Sequence, residues 1–387
     1  MRITSPLKSR KNDGRFWTRS LTKIISARGR PLSKPTFTTS HSGSSTLVSI
    51  LGTTATGKTS LALKLAVDLI DKKVVSGVKL ISADSRQVYQ GLKITSGADI
   101  PSEFSCQASN QQPARPNYDY FSHQKLPIEL HGVSIIQPNQ DWSLTYFRNL
   151  ALTQIKQAWK QNWLPIIVGG TGLYHHHLLN NDPELYVKPN STIRSQAASK
   201  SLAELQTWLN QVDSDKLAQM NHSDQHNPRR LIRAIEVSLA MRDPCPRIKN
   251  RPQLEKPASY LQFVLDLPER PLHQKIRKRV EERLENGALK EVKALLKLNL
   301  KPTSQAMTTT GVPEIVAYLE SSRQEKNRAK LISAWTQTEL QYAKRQKTWF
   351  KKAAADAPWF EPWPQLSPAD YSFILKACLT SLKKSEP

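Results

Sequence analysis

Between residues 46 and 180 the hydrophobic pattern switches repeatedly between two periods. The run Thr46-Leu-Val-Ser-Ile-Leu51 is short, apolar and rich in branched side chains, which predicts a strand buried on both faces. Leu61, Leu65 and Leu69 then recur every four residues, with Ala62 and Ala66 beside them, and predict an amphipathic helix over 59–72. A second strand is predicted at 78–82 and a third at 165–168, the third preceded by a helix over about 143–160. Strand and helix in alternation imply an α/β fold with a doubly wound parallel sheet flanked by helices. Pro101, Pro113 and Pro116, among Gln and Ser, make 100–118 a loop insertion. Further on, 190–222 reads as short helices and 269–299 and 327–352 as longer ones, with an irregular link at Pro244, Pro246, Pro252 and Pro257. In the last helix Leu331, Trp335, Thr338, Tyr342, Arg345 and Trp349 form one face, assigned to the core. Lys344, Lys347 and Lys351 form a second strip suited to phosphates. The chain divides into an extension (1–45), an α/β core (46–180), a helical insertion (181–226), the rest of the core with a helical C-terminal region (227–365), and a tail (366–387).

Charge narrows the partner. The 387 residues carry 56 Lys and Arg against 32 Asp and Glu, a net +24, which favours nucleic acid or an anionic surface. No apolar run has the length of a membrane helix, so a membrane partner is not expected. Cys106, Cys245 and Cys378 are scattered and make no CxxC pair, which argues against a zinc site or a disulfide scaffold. Residues 1–45 hold ten basic residues and one acid, Asp13, with abundant Ser and Thr. That composition is similar to a mitochondrial or plastid transit peptide, or else to a disordered basic arm on a cytoplasmic protein. The body of the chain stays basic without it.

The strongest single motif is Gly52-Thr-Thr-Ala-Thr-Gly-Lys-Thr59, which fits G-x-x-x-x-G-K-[ST] between a predicted strand and a predicted helix. Gly52, Thr53, Thr54, Ala55, Thr56 and Gly57 let the backbone curl so that amide N–H groups face an anion. The helix start adds its positive dipole end. Lys58 supplies a mobile charge for the distal phosphates, and the Thr59 hydroxyl is placed to hold Mg²⁺. A nucleotide triphosphatase also needs an acid at the end of a neighbouring strand. The strand Pro165-Ile-Ile-Val168 ends instead in Gly169-Gly-Thr-Gly172. Asp84, after Ile81-Ser-Ala, is the acid that closely follows a sheet strand. A carboxylate there acts as a metal ligand or a general base, and its polar successor Ser85-Arg-Gln-Val-Tyr89 favours the base.

Five segments in order resemble the tRNA dimethylallyltransferase (tRNA isopentenyltransferase) family over about 46–365. They are Gly52–Thr59, Asp84–Tyr89, Val168-Gly-Gly-Thr-Gly-Leu-Tyr174, Asn227-Pro-Arg-Arg-Leu-Ile-Arg-Ala-Ile-Glu-Val237 and Tyr342-Ala-Lys-Arg-Gln-Lys-Thr-Trp-Phe350. The resemblance implies a P-loop prenyltransferase. It would move a dimethylallyl group from dimethylallyl diphosphate to N6 of the adenosine 3′ to the tRNA anticodon. Carried over, Asp84 takes the amine proton and Thr171 hydrogen-bonds near the reacting centre. Lys58, Thr59 and Arg233 hold the diphosphate with Mg²⁺. Ser85, Arg86, Gln87 and Arg229, Arg230, Leu231, Ile232 and Arg233 contact tRNA, with the insertion at 181–226 and the strip at Lys344 and Lys347 assisting. Arg230 and Arg233 share a helix face, where pairing with Glu236 is the alternative use.

The chain departs from the family at Thr53, where Pro or Ala is usual. It departs again at Thr308-Thr-Thr-Gly-Val-Pro-Glu314, where Val312 and Pro313 replace an aromatic and a basic residue. The loop at 102–117 is longer than expected, and no cysteine pair provides a C-terminal zinc finger, which tilts the resemblance to a bacterial-type, monomeric enzyme. His175-His-His177 points three ways from one helix and is not expected to bind metal. Rival readings are an adenylate isopentenyltransferase acting on AMP, ADP or ATP, a P-loop small-molecule kinase, and a non-catalytic RNA-binding protein.

Overall fold

A computed structural model describes residues 45–383, apart from 99, 109–117, 322–323, 355–356 and 363–364. Eight strands form one sheet: β1 Thr46–Gly52, β2 Gly77–Ser82, β3 Phe104–Gln107, β4 Tyr120–His123, β5 Ile128–His131, β6 Trp163–Gly169, β7 Ser259–Leu265 and β8 Trp359–Phe360. Their spatial order is β3-β4-β5-β2-β6-β1-β7-β8. The six strands from β5 to β8 run parallel, and β3 and β4 add an antiparallel edge. The expected parallel α/β sheet is therefore present. β1 and β2 are buried along their whole length, and β6 at every residue after Trp163, because both faces are covered.

Register decides where the site forms. Leu51 on β1 pairs with Gly169 on β6, and Val168 on β6 pairs with Ser82 on β2. The carboxyl ends of three adjacent strands thus bring the loop after Gly52, Asp84 and Thr171 to one edge, where open α/β sheets bind ligands.

Several sequence expectations shift. Residues 100–118 are not loop throughout, since Phe104–Gln107 pairs as a strand with Tyr120–His123. The helix expected over 269–299 is two, Glu269–Glu285 and Ala288–Leu296, parted at Gly287, whose φ of 109° suits glycine. The supposed tail from 366 contains the helix Pro368–Lys383, which buries Ile374 and Cys378 against the core with Val48 and Ile50. The insertion outruns residue 226. Its own apolar cluster joins Ile193, Leu205 and Leu209 to Leu231, Ala234 and Ile235 on the helix Pro228–Arg242. Residues 1–44 of the basic extension lie outside the described residues.

Candidate active site

The loop leaving β1 holds its curve with its own atoms. Ala55 and Gly57 take left-handed backbone angles, φ 63° and 75°, and Gly57 starts the helix Lys58–Asp71. Thr56 Oγ1 and Lys58 Nζ both donate to the Thr53 carbonyl at 2.7 Å. Gly52 has to be glycine, because a Cβ there would meet the Leu265 carbonyl at 2.7 Å. Gln346, on the helix Gln324–Ala353, clamps two loops together. Its Oε1 accepts from the Thr54 amide and its Nε2 donates to the Gly170 carbonyl, both at 3.0 Å.

Asp84 sits two residues beyond β2, and its Oδ1 accepts from the Arg86 amide at 2.8 Å. Burial raises its pKa above the ordinary carboxylate value, and the Arg86 amide and Lys58 charge only partly oppose this. The carboxylate is thereby a stronger base than one in water. Thr171 is fixed beside it, its amide donating to the Ala83 carbonyl at 3.1 Å. Tyr342 lies against Thr171 and Gln346, and burial together with the nearby Asp84 charge pushes its phenol up. Tyr174, stacked on Phe147 at 4.2 Å, is raised by the same two influences. Both phenols stay neutral beside Asp84.

The loop, Asp84 and Tyr342 open on one cavity of about 810 Å³. Lys58, Arg86, Lys93, Lys275, Lys278, Arg279 and Arg283 line it, against the acids Asp84, Glu282 and Glu339. Leu63, Leu80, Leu130, Val133 and Val168 give it apolar walls. An anion with a short hydrocarbon chain suits this combination. Sequence reasoning expected a helix over 269–299 but missed the contribution of Glu269–Glu285 to the site. Its Arg279 donates to Thr54 Oγ1 at 3.1 Å and to the Gly97 carbonyl at 3.0 Å, and Arg283 pairs with Glu339 at 2.9 Å. Burial lowers the Lys275 pKa. The i, i+4 spacing of Lys275, Arg279 and Arg283 was the available signal.

Other expected residues fall elsewhere. Arg233, assigned to the diphosphate, does not line the cavity. It donates to the Glu184 and Val187 carbonyls at 3.1 and 2.9 Å and pairs with Glu236, so it braces the insertion. Leu231, assigned to tRNA, is fully buried in the insertion's core, and Ile232 packs against that core. Arg230 pairs with Asp224 rather than Glu236, while Arg229 is exposed. Ser85 is half-buried, and Gln87 accepts from Ser82 Oγ and donates to the Gly97 carbonyl. Arg86 donates to the Gln305 carbonyl at 2.5 Å. Lys347 pairs with Asp266 at 2.6 Å, and Lys344 is exposed. His175 is buried with Nδ1 2.6 Å from Ser49 Oγ, and burial drops its pKa to about 3. Among the described residues no cluster of three His, Cys, Asp or Glu could hold a metal ion. Thr59 lines the cavity, so a Mg²⁺ there would take most of its oxygens from diphosphate and water, as that ion commonly does.

The chain is similar to known proteins in sequence and in fold. The IPP transferase family matches over residues 122–353. A tRNA dimethylallyltransferase of Rhizobium meliloti is 32% identical over 308 residues, covering 78% of this chain and 90% of that one. The enzyme of the same name from Pelotomaculum thermopropionicum is 29% identical over 309 residues, covering 79% and 88%. Among solved structures, a tRNA delta(2)-isopentenylpyrophosphate transferase from Staphylococcus epidermidis is 25% identical with a TM-score of 0.54, covering 88% of this chain and all of its own. A eukaryotic dimethylallyltransferase acting on tRNA shares the fold, with a TM-score of 0.65 at 20% identity over 89% of this chain and 80% of its own.

Proposed function

The chain belongs to the IPP transferase family, and from that premise we propose that it transfers a dimethylallyl group from dimethylallyl diphosphate to N6 of the adenosine 3′-adjacent to the tRNA anticodon. The observation that carries this reading is that Asp84 and the phosphate loop face one partly apolar cavity. The reacting bonds follow from it. The allylic C1–O bond breaks and diphosphate leaves, N6–C1 forms, and the amine proton passes to Asp84. An exocyclic adenine amine is a poor nucleophile, so a base taking its proton as bonding develops contributes about 10²–10⁴-fold. Lys58, Arg279 and the loop amides receive the charge on the departing diphosphate. A bound Mg²⁺, held through Thr59, would neutralise part of that charge. Thr171 and Tyr342 orient the base edge beside the carboxylate. An adenine stacked in the anticodon loop is out of reach, so it enters flipped out.

We assign the protein to the cytoplasm as a monomer, or to an organelle if residues 1–45 are cleaved. Among the described residues no helix is long and apolar enough to cross a membrane. The test is incubation with Mg²⁺, dimethylallyl diphosphate and unmodified tRNA or AMP, read by nucleoside mass spectrometry. Prenylated adenosine in tRNA, lost in Asp84→Ala, is the expected result. Product on AMP alone would move the protein to the adenylate branch, and ATP hydrolysis without transfer would overturn the reading.

A further inference from the structure

The face of the last long helix assigned to the core is not core along its whole length. Leu331 and Trp335 are buried, yet Trp349 is 39% exposed, one of four large hydrophobic side chains left in solvent among the described residues. Its neighbour Phe350 anchors the backbone, buried with Leu51 and Val264. Trp349 is therefore held rigidly while its ring faces outward.

The position of that ring is informative. Tyr342, which lines the cavity, lies seven residues earlier on the same face, about 10 Å along the helix axis. A Cβ added to Gly172, next to Thr171, would lie 3.0 Å from the Trp349 Cβ. One turn beyond Gly172 is His176, exposed, with its ring centroid 6.4 Å from that of Trp349. Arg345 reaches back over the Tyr342 ring at 5.9 Å and is exposed one turn before Trp349 on the same helix face. An exposed aromatic pair with an arginine one turn away, next to the catalytic turn, suits an unpaired nucleotide: a π face for the base and charge for its phosphate.

We propose that Trp349 and His176 form a stacking platform for an unpaired base of the RNA substrate flanking the adenosine delivered to Asp84. This rests on the tRNA reading above. The platform fixes the neighbour while the target base swings into the cavity. It also gives a use to the exposed His176.

Binding of a fluorescent anticodon stem–loop RNA, titrated across salt concentration beside a blunt duplex of equal length, tests the platform without requiring turnover. Trp349→Leu should weaken stem–loop binding about tenfold and His176→Ala by less, both with the salt slope kept and duplex binding unchanged. Trp349→Phe should restore affinity. Lys344→Gln should instead lower the salt slope by about one and weaken both RNAs. Wild-type affinity in both Trp349→Leu and His176→Ala, or an equal loss on loop and duplex, would overturn the proposal. A wild-type protein that binds the loop with the expected variant pattern, yet forms no prenyladenosine, would keep the platform and defeat the prenylation reading.

Discussion

Two buried carboxylates, one in each region of the molecule, are treated in opposite ways. Asp84, at the end of the sheet, meets the Arg86 and Gln87 amides and the Lys58 and Arg86 charges, yet desolvation outweighs them and its pKa rises. Glu236, in the insertion, has almost no exposed surface, but Arg194 at 2.8 Å, the Asn190 amide and Arg233 more than offset the cost of desolvation, so its pKa falls. The first carboxylate is held ready to take a proton, and the second is a fastening. The arginines divide likewise. Arg279 reaches the phosphate loop, whereas Arg233 and Arg230 serve the insertion's own structure.

The largest effect that could break this contrast is at Asp84. Asp84→Asn should lower the transfer rate by about 10²–10⁴-fold. Because the folded pKa is raised, ionisation costs stability progressively as pH rises above the unfolded carboxylate pKa and in full above the folded one, so the same variant should melt higher than wild type at neutral pH. A rate near wild type, or a lower melting temperature, would break the assignment. Next come the arginines. Arg279→Ala removes a charge-assisted contact worth about 1.5–3 kcal/mol and should raise KM for dimethylallyl diphosphate about 10- to 100-fold. Arg233→Ala should leave that KM within about twofold and lower the melting temperature. The reverse pattern would return Arg233 to the diphosphate.

Glu236→Gln should cost about 1–3 kcal/mol, read by denaturant unfolding, with KM for the diphosphate unaltered. Glu236's pKa is depressed, so its contribution is present above the unfolded carboxylate pKa and lost as pH falls through the folded one. Acid should therefore loosen the insertion in wild type and less so in the variant. The smallest effect is in the pH–rate profile. Its acid limb, the protonation of Asp84, should lie above the ordinary carboxylate range, and an acid limb within that range would show that burial does not tune this group.

Legibility in the sequence follows the range of the interactions. Gly52–Thr59 and Asp84 could be read because their context is local: strand, turn and helix are contiguous. Arg279 could not, since it meets Thr54 across 225 residues, and the i, i+4 spacing of Lys275, Arg279 and Arg283 marks a basic helix face without saying what it docks against. Arg233 was misplaced for the converse reason, its charge being legible while its carbonyl partners at Glu184 and Val187 were not. The short strands β3, β4 and β5 have only four residues each, too few for a period to stand out. The helix Pro368–Lys383 was overlooked as tail, although Ile374 and Cys378 already stood four apart.

The most direct test of the central claim is a structure with Mg²⁺ and a thiol-linked, non-reactive analogue of dimethylallyl diphosphate. The diphosphate should lie on the amides of Gly52–Thr59 with Lys58 and Arg279, the hydrocarbon between Leu80 and Val168, and C1 facing Asp84. Diphosphate bound at Arg233, or a prenyl chain turned away from Asp84, would contradict the account.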